Sequence, residues 1–176
     1  MRTKFSHSTQ DEYYTPLYAV EIIVPYLKKK SIIWCPFDTK KSNYVKKFIE
    51  LGHTVHYTHI NNGEDFLTYI PDFNFDCIIT NPAFSIKNET ILKCLTYNKP
   101  FALLLPMTML NSIETINIFN KFDVQFIIMD KRVSFNGNRP NFTCWYVCNN
   151  FLPKNIMIHL FNQDPRDLYK NEKGAN

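Results

Sequence analysis

"IITNPAFS", residues 78–85, is the stretch on which the fold turns. Ile78, Ile79 and Thr80 form an apolar run that stops at Asn81-Pro82, and Phe84 follows two residues later. Proline has no amide hydrogen for a sheet ladder and holds the residue before it extended, so a strand ends here and a loop begins. A short, continuously apolar strand suits a parallel sheet with both faces covered. Such a sheet presents the loop, and the planar ring of Phe84, at its carboxyl edge.

The segments on either side repeat the pattern. "TPLYAVEIIVPYLKKK" (15–30) has apolar residues at helical spacing, with Thr15 as N-cap and Pro16 at the first helical position. "SIIWC" (31–35) reads as a buried strand, "KKSNYVKKFIELG" (40–52) as an amphipathic helix closed by Gly52, and "HTVHYTHI" (53–60) as the next strand. After the strand "NFDCIIT" (74–80) come a helix over 86–98, the strand "PFALLLP" (100–106), a helix over 111–123 and the strand "VQFIIMD" (124–130). "FTCWYVC" (142–148) and "NIMIHLF" (155–161) are two further consecutive strands, which suggest an antiparallel edge. The repeated strand–helix alternation predicts the α/β class: one mostly parallel sheet with right-handed crossovers and helices on both faces. It occupies residues 1–161, of which 1–12 are a polar arm, while 162–176 lack apolar content and read as a loosely ordered tail.

Composition limits the function classes. With 176 residues, 45% of them apolar, the chain houses one domain and one sizeable core. Its net charge of +4 indicates only weak compatibility with a polyanion. The five cysteines form no C-x-x-C pair, and an odd number without a signal peptide points to buried thiols in a reducing cytoplasm. No apolar run reaches the 18 or so residues of a membrane span. His56 and His59 fall on opposite faces of their strand, and Cys144 and Cys148 lie about 13 Å apart at the usual rise per residue. No metal site is expected.

In an open parallel sheet the ligand crevice lies beyond the carboxyl ends of the strands. There the sequence places "CPFD" (35–38), "HINNGEDF" (59–66), "NPAF" (81–84) and "PMTML" (106–110). Asp38, Asp65, Asn81 and Thr108 are polar there, and Phe37, Phe66 and Phe84 aromatic, a mixture that suits a nucleotide-bearing ligand.

In this order the segments resemble a known family. "NPAF" looks like the [DNS]-P-P-[YFW] motif of class I S-adenosylmethionine-dependent amino-methyltransferases, with Ala83 in place of the second proline. "DEYYTP" (11–16) is similar to the aromatic-x-Thr-Pro segment of the N6-adenine methyltransferases, and "GEDFL" (63–67) to their Asp-Phe cofactor segment. "IWCPFD", "NPAFSIKNE", "PFALLLP" and "DKRVSFNG" together resemble small adenine-methyltransferase-like proteins of phages and prophages. The resemblance spans roughly residues 11–150. It implies a Rossmann-like fold, S-adenosylmethionine as cofactor and the N6 amino group of adenine as target, in DNA more readily than in RNA.

The site residues follow from the same resemblance. Asn81 and Pro82 would each accept an N–H of the adenine amine and Phe84 would stack on the base. Tyr13 or Tyr14, with Thr15, Pro16, Cys35, Pro36, Phe37, Asp38, His59, Ile60, Asp65 and Phe66, would shape the cofactor pocket. Asp65 and Phe66 read equally as a capping carboxylate and a core ring, and Thr15 and Pro16 as a helix start. Lys87, Lys131, Arg132, Phe135 and Arg139 are the candidate nucleic-acid contacts. Two departures bear on activity: Ala83, and a first loop ("CPFDTKKSNY") that lacks the glycines with which the family lets the cofactor approach backbone. They keep open a degenerate, non-catalytic fold that binds nucleic acid or a host protein, as in anti-defence. Methylation of a small molecule or a protein amide by the same Asn-Pro geometry is a third reading. A protein partner or a homo-oligomer is compatible with all three.

Overall fold

The computed structural model describes residues 14–137 and 142–174. Seven strands form one sheet: β1 (Ile32–Pro36), β2 (Thr54–Thr58), β3 (Cys77–Thr80), β4 (Phe101–Pro106), β5 (Val124–Met129), β6 (Cys144–Asn149) and β7 (Ile156–His159). Their order is β2-β1-β3-β4-β6-β5-β7. Pairs β1/β2, β1/β3, β3/β4 and β5/β7 are parallel, and β6 runs antiparallel to both β4 and β5. The mostly parallel sheet expected from the strand–helix alternation is present, and its antiparallel part lies in the last third of the chain.

Every residue of β3 and of β4 is buried. Their unbroken apolar runs follow from that: both faces are covered. On one face α1 (Leu17–Glu21) and α2 (Asn43–Glu50) pack over Ile33, Cys35, Ile79 and Leu104. On the other, α3 (Lys87–Thr96) and α4 (Ile113–Phe119) cover Trp34, Ile78, Leu103 and Leu105. Two tyrosine hydroxyls cross the first layer, Tyr44 to Tyr146 at 2.7 Å, and Tyr146 donates to the Ala19 carbonyl at 3.0 Å. All five cysteines are free and buried. Among the described residues no helix is long and apolar enough to cross a membrane.

Local signals set the helix ends. Ser42 caps α2, its hydroxyl accepting from the Tyr44 amide at 3.2 Å, and Gly52 follows the helix at φ +81° as a left-handed terminator. The expected helix over 15–30 is broken. It becomes α1 and a separate 3-10 turn at Val24–Tyr26, because Pro25 cannot donate and its ring opposes the Glu21 carbonyl. Nor does Thr15 cap it. Pro16 occupies that position, and the Leu17 and Tyr18 amides donate instead to Glu172, at 2.9 and 2.7 Å.

Glu172 belongs to α5 (Pro165–Gly174), a helix where composition suggested a loosely ordered tail. Pro165 is buried at its start, and the Glu172 carboxylate seats on the positive end of α1. A contact spanning 155 residues in the chain leaves no trace in local composition.

Candidate active site

From β1 the chain steps outward to β2, then returns across β1 to place β3 on its other side. Strand order therefore reverses between β1 and β3, and the loops leaving these two strands flank the place where open α/β sheets bind ligands. They are "PFD" (36–38) and "NPAF" (81–84). Thr80, the last residue of β3, joins them: its hydroxyl bonds the Pro36 carbonyl and lies 2.8 Å from Asp38 Oδ2.

Asp38 is buried, and both of its oxygens are engaged. Ser42 Oγ donates to Oδ1 at 2.5 Å, while Oδ2 faces Thr80. The Asp38 amide donates to the Thr58 carbonyl at 3.2 Å, which fixes the loop to β2 as well. Burial pushes the carboxyl pKa up to about 7, against the opposing effect of the Ser42 and Thr80 hydrogen bonds. Asp38 thus links the ends of β1, β2 and β3 to the N-terminus of α2.

The loop that carries no glycine still makes a glycine-like turn. Phe37 stands at φ +68°, in the left-handed region, with its ring half-buried 5.2 Å from that of Phe66. A side chain held there costs about 1–2 kcal/mol. Phe37→Gly is accordingly expected to be more stable than Phe37→Ala by about 1 kcal/mol, the reverse of the usual order at these two residues. Chemical denaturation of the two variants checks this, and an alanine variant as stable as the glycine one would refute the strained turn.

On the other side of the switch point, Pro82 is buried and so is the Asn81 side-chain oxygen. Ala83 has φ −57° and ψ 125°, within the range proline adopts. Ala83→Pro is therefore expected to leave the fold intact and to stabilise it by about 0.4–1 kcal/mol through the unfolded chain. A thermal melt checks it, and a clear loss of stability would show that the Ala83 amide or the Pro82 backbone resists the ring. The half-buried Phe84 ring meets Phe142 edge-on at 5.6 Å, and Phe142 in turn meets Phe135 at 6.4 Å. NPAF and the loop after β5, remote in sequence, are thus brought together. Lys87 Nζ turns back to the Phe84 carbonyl at 3.4 Å.

The remaining residues of the expected cofactor pocket divide. Tyr14 is exposed; Thr15 is buried, and its carbonyl accepts from the Asn43 amide side chain at 2.9 Å. Pro16 serves as the N-cap of α1 and Cys35 lies in the core, where burial pushes its thiol pKa up. His59 Nδ1 accepts from the Asn61 amide at 3.2 Å, and Ile60 is exposed. Asp65 Oδ1 caps a turn at the Leu67 amide, at 3.0 Å. Phe66 is a core ring, 5.2 Å from Trp34. For this pair the structure displays the capping and packing roles.

Glu64 joins the site from outside the expected set of residues. Its carboxylate folds back onto the β2 edge, accepting from the His59 amide at 3.2 Å and from Asn62 Nδ2 at 3.4 Å. It supplies an acidic group beside His59, the first residue after β2. The signal was present in "HINNGED", but Glu64 stands five residues beyond His59, and only the Gly63 turn at φ +82° brings it back.

Of the other expected nucleic-acid contacts, Lys131, Arg132 and Phe135 lie on the loop after β5. Lys131 Nζ donates to the Phe161 and Gln163 carbonyls, at 2.8 and 3.3 Å, and Arg132 is exposed. Phe135 is buried in the core layer, so its ring is covered by Phe142 rather than open. Arg139 and Tyr13 lie outside the described residues.

Neither a protein-family model nor a curated protein matches the sequence. Solved structures do. The methyltransferase subunit of a type I restriction-modification system from Streptococcus thermophilus superposes with a TM-score of 0.56 at 13% identity, over 93% of this chain and 53% of that one. A protein from Listeria monocytogenes described as a class I S-adenosylmethionine-dependent methyltransferase gives 0.55 at 11% identity, over 98% and 72%. This chain spans about half the length of the restriction-modification subunit. At such identities the likeness speaks for architecture alone, and what it shows is that the chain has the Rossmann-like fold of these methyltransferases.

Proposed function

We propose that the protein is an S-adenosylmethionine-dependent methyltransferase acting on the N6 amino group of adenine, in DNA rather than RNA. One observation carries the reading: the NPAF loop and the loop after β1 flank the same switch point and are tied together through Thr80. That the fold is shared with a restriction-modification methyltransferase subunit favours DNA.

The residues fit such a cofactor in two respects. Phe37 holds the loop after β1 in the left-handed region that favours glycine, and Glu64 brings a carboxylate to the end of β2, where it would accept from ribose hydroxyls. When bound, the cofactor supplies a methyl group already activated by its positive sulfur, so no base need act first. The protein's part is then positioning, which contributes up to about 7–11 kcal/mol. The adenine amine is a poor nucleophile because its lone pair is delocalised into the ring. With one N–H held by the Asn81 side-chain oxygen and the other by the Pro82 carbonyl, the nitrogen becomes more tetrahedral and its lone pair turns out of the ring. Phe84 stacks on the extruded base, for about 1–3 kcal/mol.

Calorimetry with S-adenosylmethionine, followed by methyl transfer to unmodified DNA, RNA and free nucleotides, tests the reading. Binding and transfer to DNA are expected. No binding at millimolar cofactor would overturn it in favour of a non-catalytic fold, a reading supported by the Phe37 ring and by the engagement of both Asp38 oxygens inside the protein. Transfer to free amines but not to nucleic acid would move the substrate to small molecules.

A further inference from the structure

An open sheet of seven strands has two edges, β2 and β7, and this chain treats them differently. On β2 the Thr54 amide and the Thr58 carbonyl bond toward β1, at 3.1 Å to Ser31 and 3.2 Å to Asp38, so the alternation of the backbone turns the His59 amide outward. Glu64 covers it, at 3.2 Å. A carboxylate across an edge donor blunts that edge against another strand.

Among the described residues β7 carries no such guard. The Phe126 and Asp130 amides donate to the Asn155 and His159 carbonyls, at 2.8 and 3.2 Å, so residues 155, 157 and 159 face β5. The amides and carbonyls of Ile156, Ile158 and Leu160 therefore point away from the sheet. The same three residues hold their side chains out of the core, 53, 69 and 67% exposed. From Asn155 to Gln163 the sequence has no proline, no glycine and no Asp, Glu, Lys or Arg. Those are the residues with which proteins spoil an edge for pairing, and without them this one is an open apolar ladder.

The strand that fits this edge is its own copy, run antiparallel across a two-fold axis. With the axis at Ile158, that residue faces its counterpart and Ile156 faces Leu160, so all three outward residues meet one another. Moving the axis by one residue either way sets one of the three against Asn162 or Lys154. A two-fold axis also opposes every group near it to itself, which a charge would not tolerate, and residues 155–163 supply no carboxylate, ammonium or guanidinium. The area sets the strength. Five residues of edge are about 17 Å long, whereas a stable dimer hides about 800 Å² on each partner. One short strand offers less, so the dimer is an equilibrium species with a Kd on the order of 10–100 µM.

We infer that β7 pairs with β7 of a second copy of this chain, joining two seven-stranded sheets into one. The inference does not depend on the proposed activity. NPAF leaves β3, four strands or about 19 Å from this edge, so pairing leaves the crevice open in both copies. Sedimentation equilibrium tests it on wild type, Ile158→Lys and Ile158→Glu, from well below to well above the expected Kd. Ile158 is exposed, so both variants are expected to keep the wild-type melting temperature at low concentration. Wild type is expected to pass from monomer to dimer, and each variant, with like charges face to face on the axis, to dimerise at least about tenfold more weakly. An equimolar mixture of the two variants sets an ammonium against a carboxylate and is expected to recover most of the lost affinity. A wild type that stays monomeric throughout would overturn the inference and leave the edge to a strand from another protein. A dimer indifferent to both substitutions would overturn it too, by placing the contact on another face. So would a mixture no tighter than either variant alone, because Ile158 would not then face itself.

Discussion

Replacing Asn81 by alanine is expected to lower methyl transfer by about 10²–10³-fold, the loss usual when one preorganised polar group is removed from a reacting centre. The side-chain oxygen is buried and held between two fixed neighbours. Thr80 before it is wholly buried and bonded to the β1 loop, and Pro82 after it is buried and conformationally locked. An acceptor placed so rigidly pays little to orient itself toward an amine. Alanine removes it without touching the Thr80 bond or Pro82, so the cofactor Kd is expected to change little. The loss should fall on kcat, because polarisation of the amine matters most at the transition state. Asn81→Asp keeps an acceptor and is expected to retain more activity than alanine. A rate assay with matched calorimetry decides the point. An alanine variant with an unaltered rate would remove Asn81 from the chemistry and leave positioning alone to explain any activity.

Strand positions were legible because two signals agree at each: a continuous apolar run, and a proline, glycine or polar cluster that ends it. "SIIWC" and "FALLLP" fall on β1 and β4 to within a residue. Helices were less legible where one residue competes with a period, as Pro25 does in the segment 15–30. The tail was illegible for a different reason. Its helix is held by Glu172 on α1, and the partner lies at the far end of the chain.

The site divides in the same way. Sequence order put NPAF and the β1 loop at one sheet edge, and chain topology places them on either side of the switch point. What residue types could not show is conformation and direction. The absence of glycine after β1 suggested a loop whose backbone a cofactor cannot approach closely; the conformation it takes, with Phe37 in the left-handed region, could not be read from residue types. Asp38 looked like a group facing a ligand, and its oxygens face Ser42 and Thr80. Phe135 looked like a stacking surface and Phe66 equally like a stacking ring or a core ring; both are buried, because an aromatic in a loop beside the sheet serves the core as readily as the crevice.

Asp38→Ala is expected to cost about 2–4 kcal/mol of stability, since it strands two buried hydroxyls at the junction of three strands and a helix. Proton counting sharpens this. Thr80 has one hydroxyl hydrogen and two oxygens within reach, the Pro36 carbonyl and Asp38 Oδ2. If that hydrogen goes to Pro36, which has none to offer, the proton between Thr80 and Asp38 must come from the carboxyl group. Ser42 meanwhile accepts from the Tyr44 amide and donates to Oδ1. A neutral Asp38 completes a chain of bonds from Tyr44 through Ser42, Asp38 and Thr80 to Pro36, and burial, which pushes the pKa up to about 7, favours the neutral form. The sign of the pH dependence follows. The unfolded chain releases this proton near 3.8 and the native protein near 7, so the native state holds more protons between those values. Its contribution is complete below about pH 4 and is lost as pH rises through about 7. Asn at this position supplies the same acceptor and donor without titrating. Asp38→Asn is therefore expected to flatten the stability profile between pH 4 and 7 and to exceed wild type at pH 8, while Asp38→Ala stays below both at either pH. Urea denaturation at pH 5 and pH 8 measures all three. An asparagine variant as unstable as the alanine one would mean that Asp38 acts as a carboxylate, and would return it to the list of groups free to meet a ligand's hydroxyls.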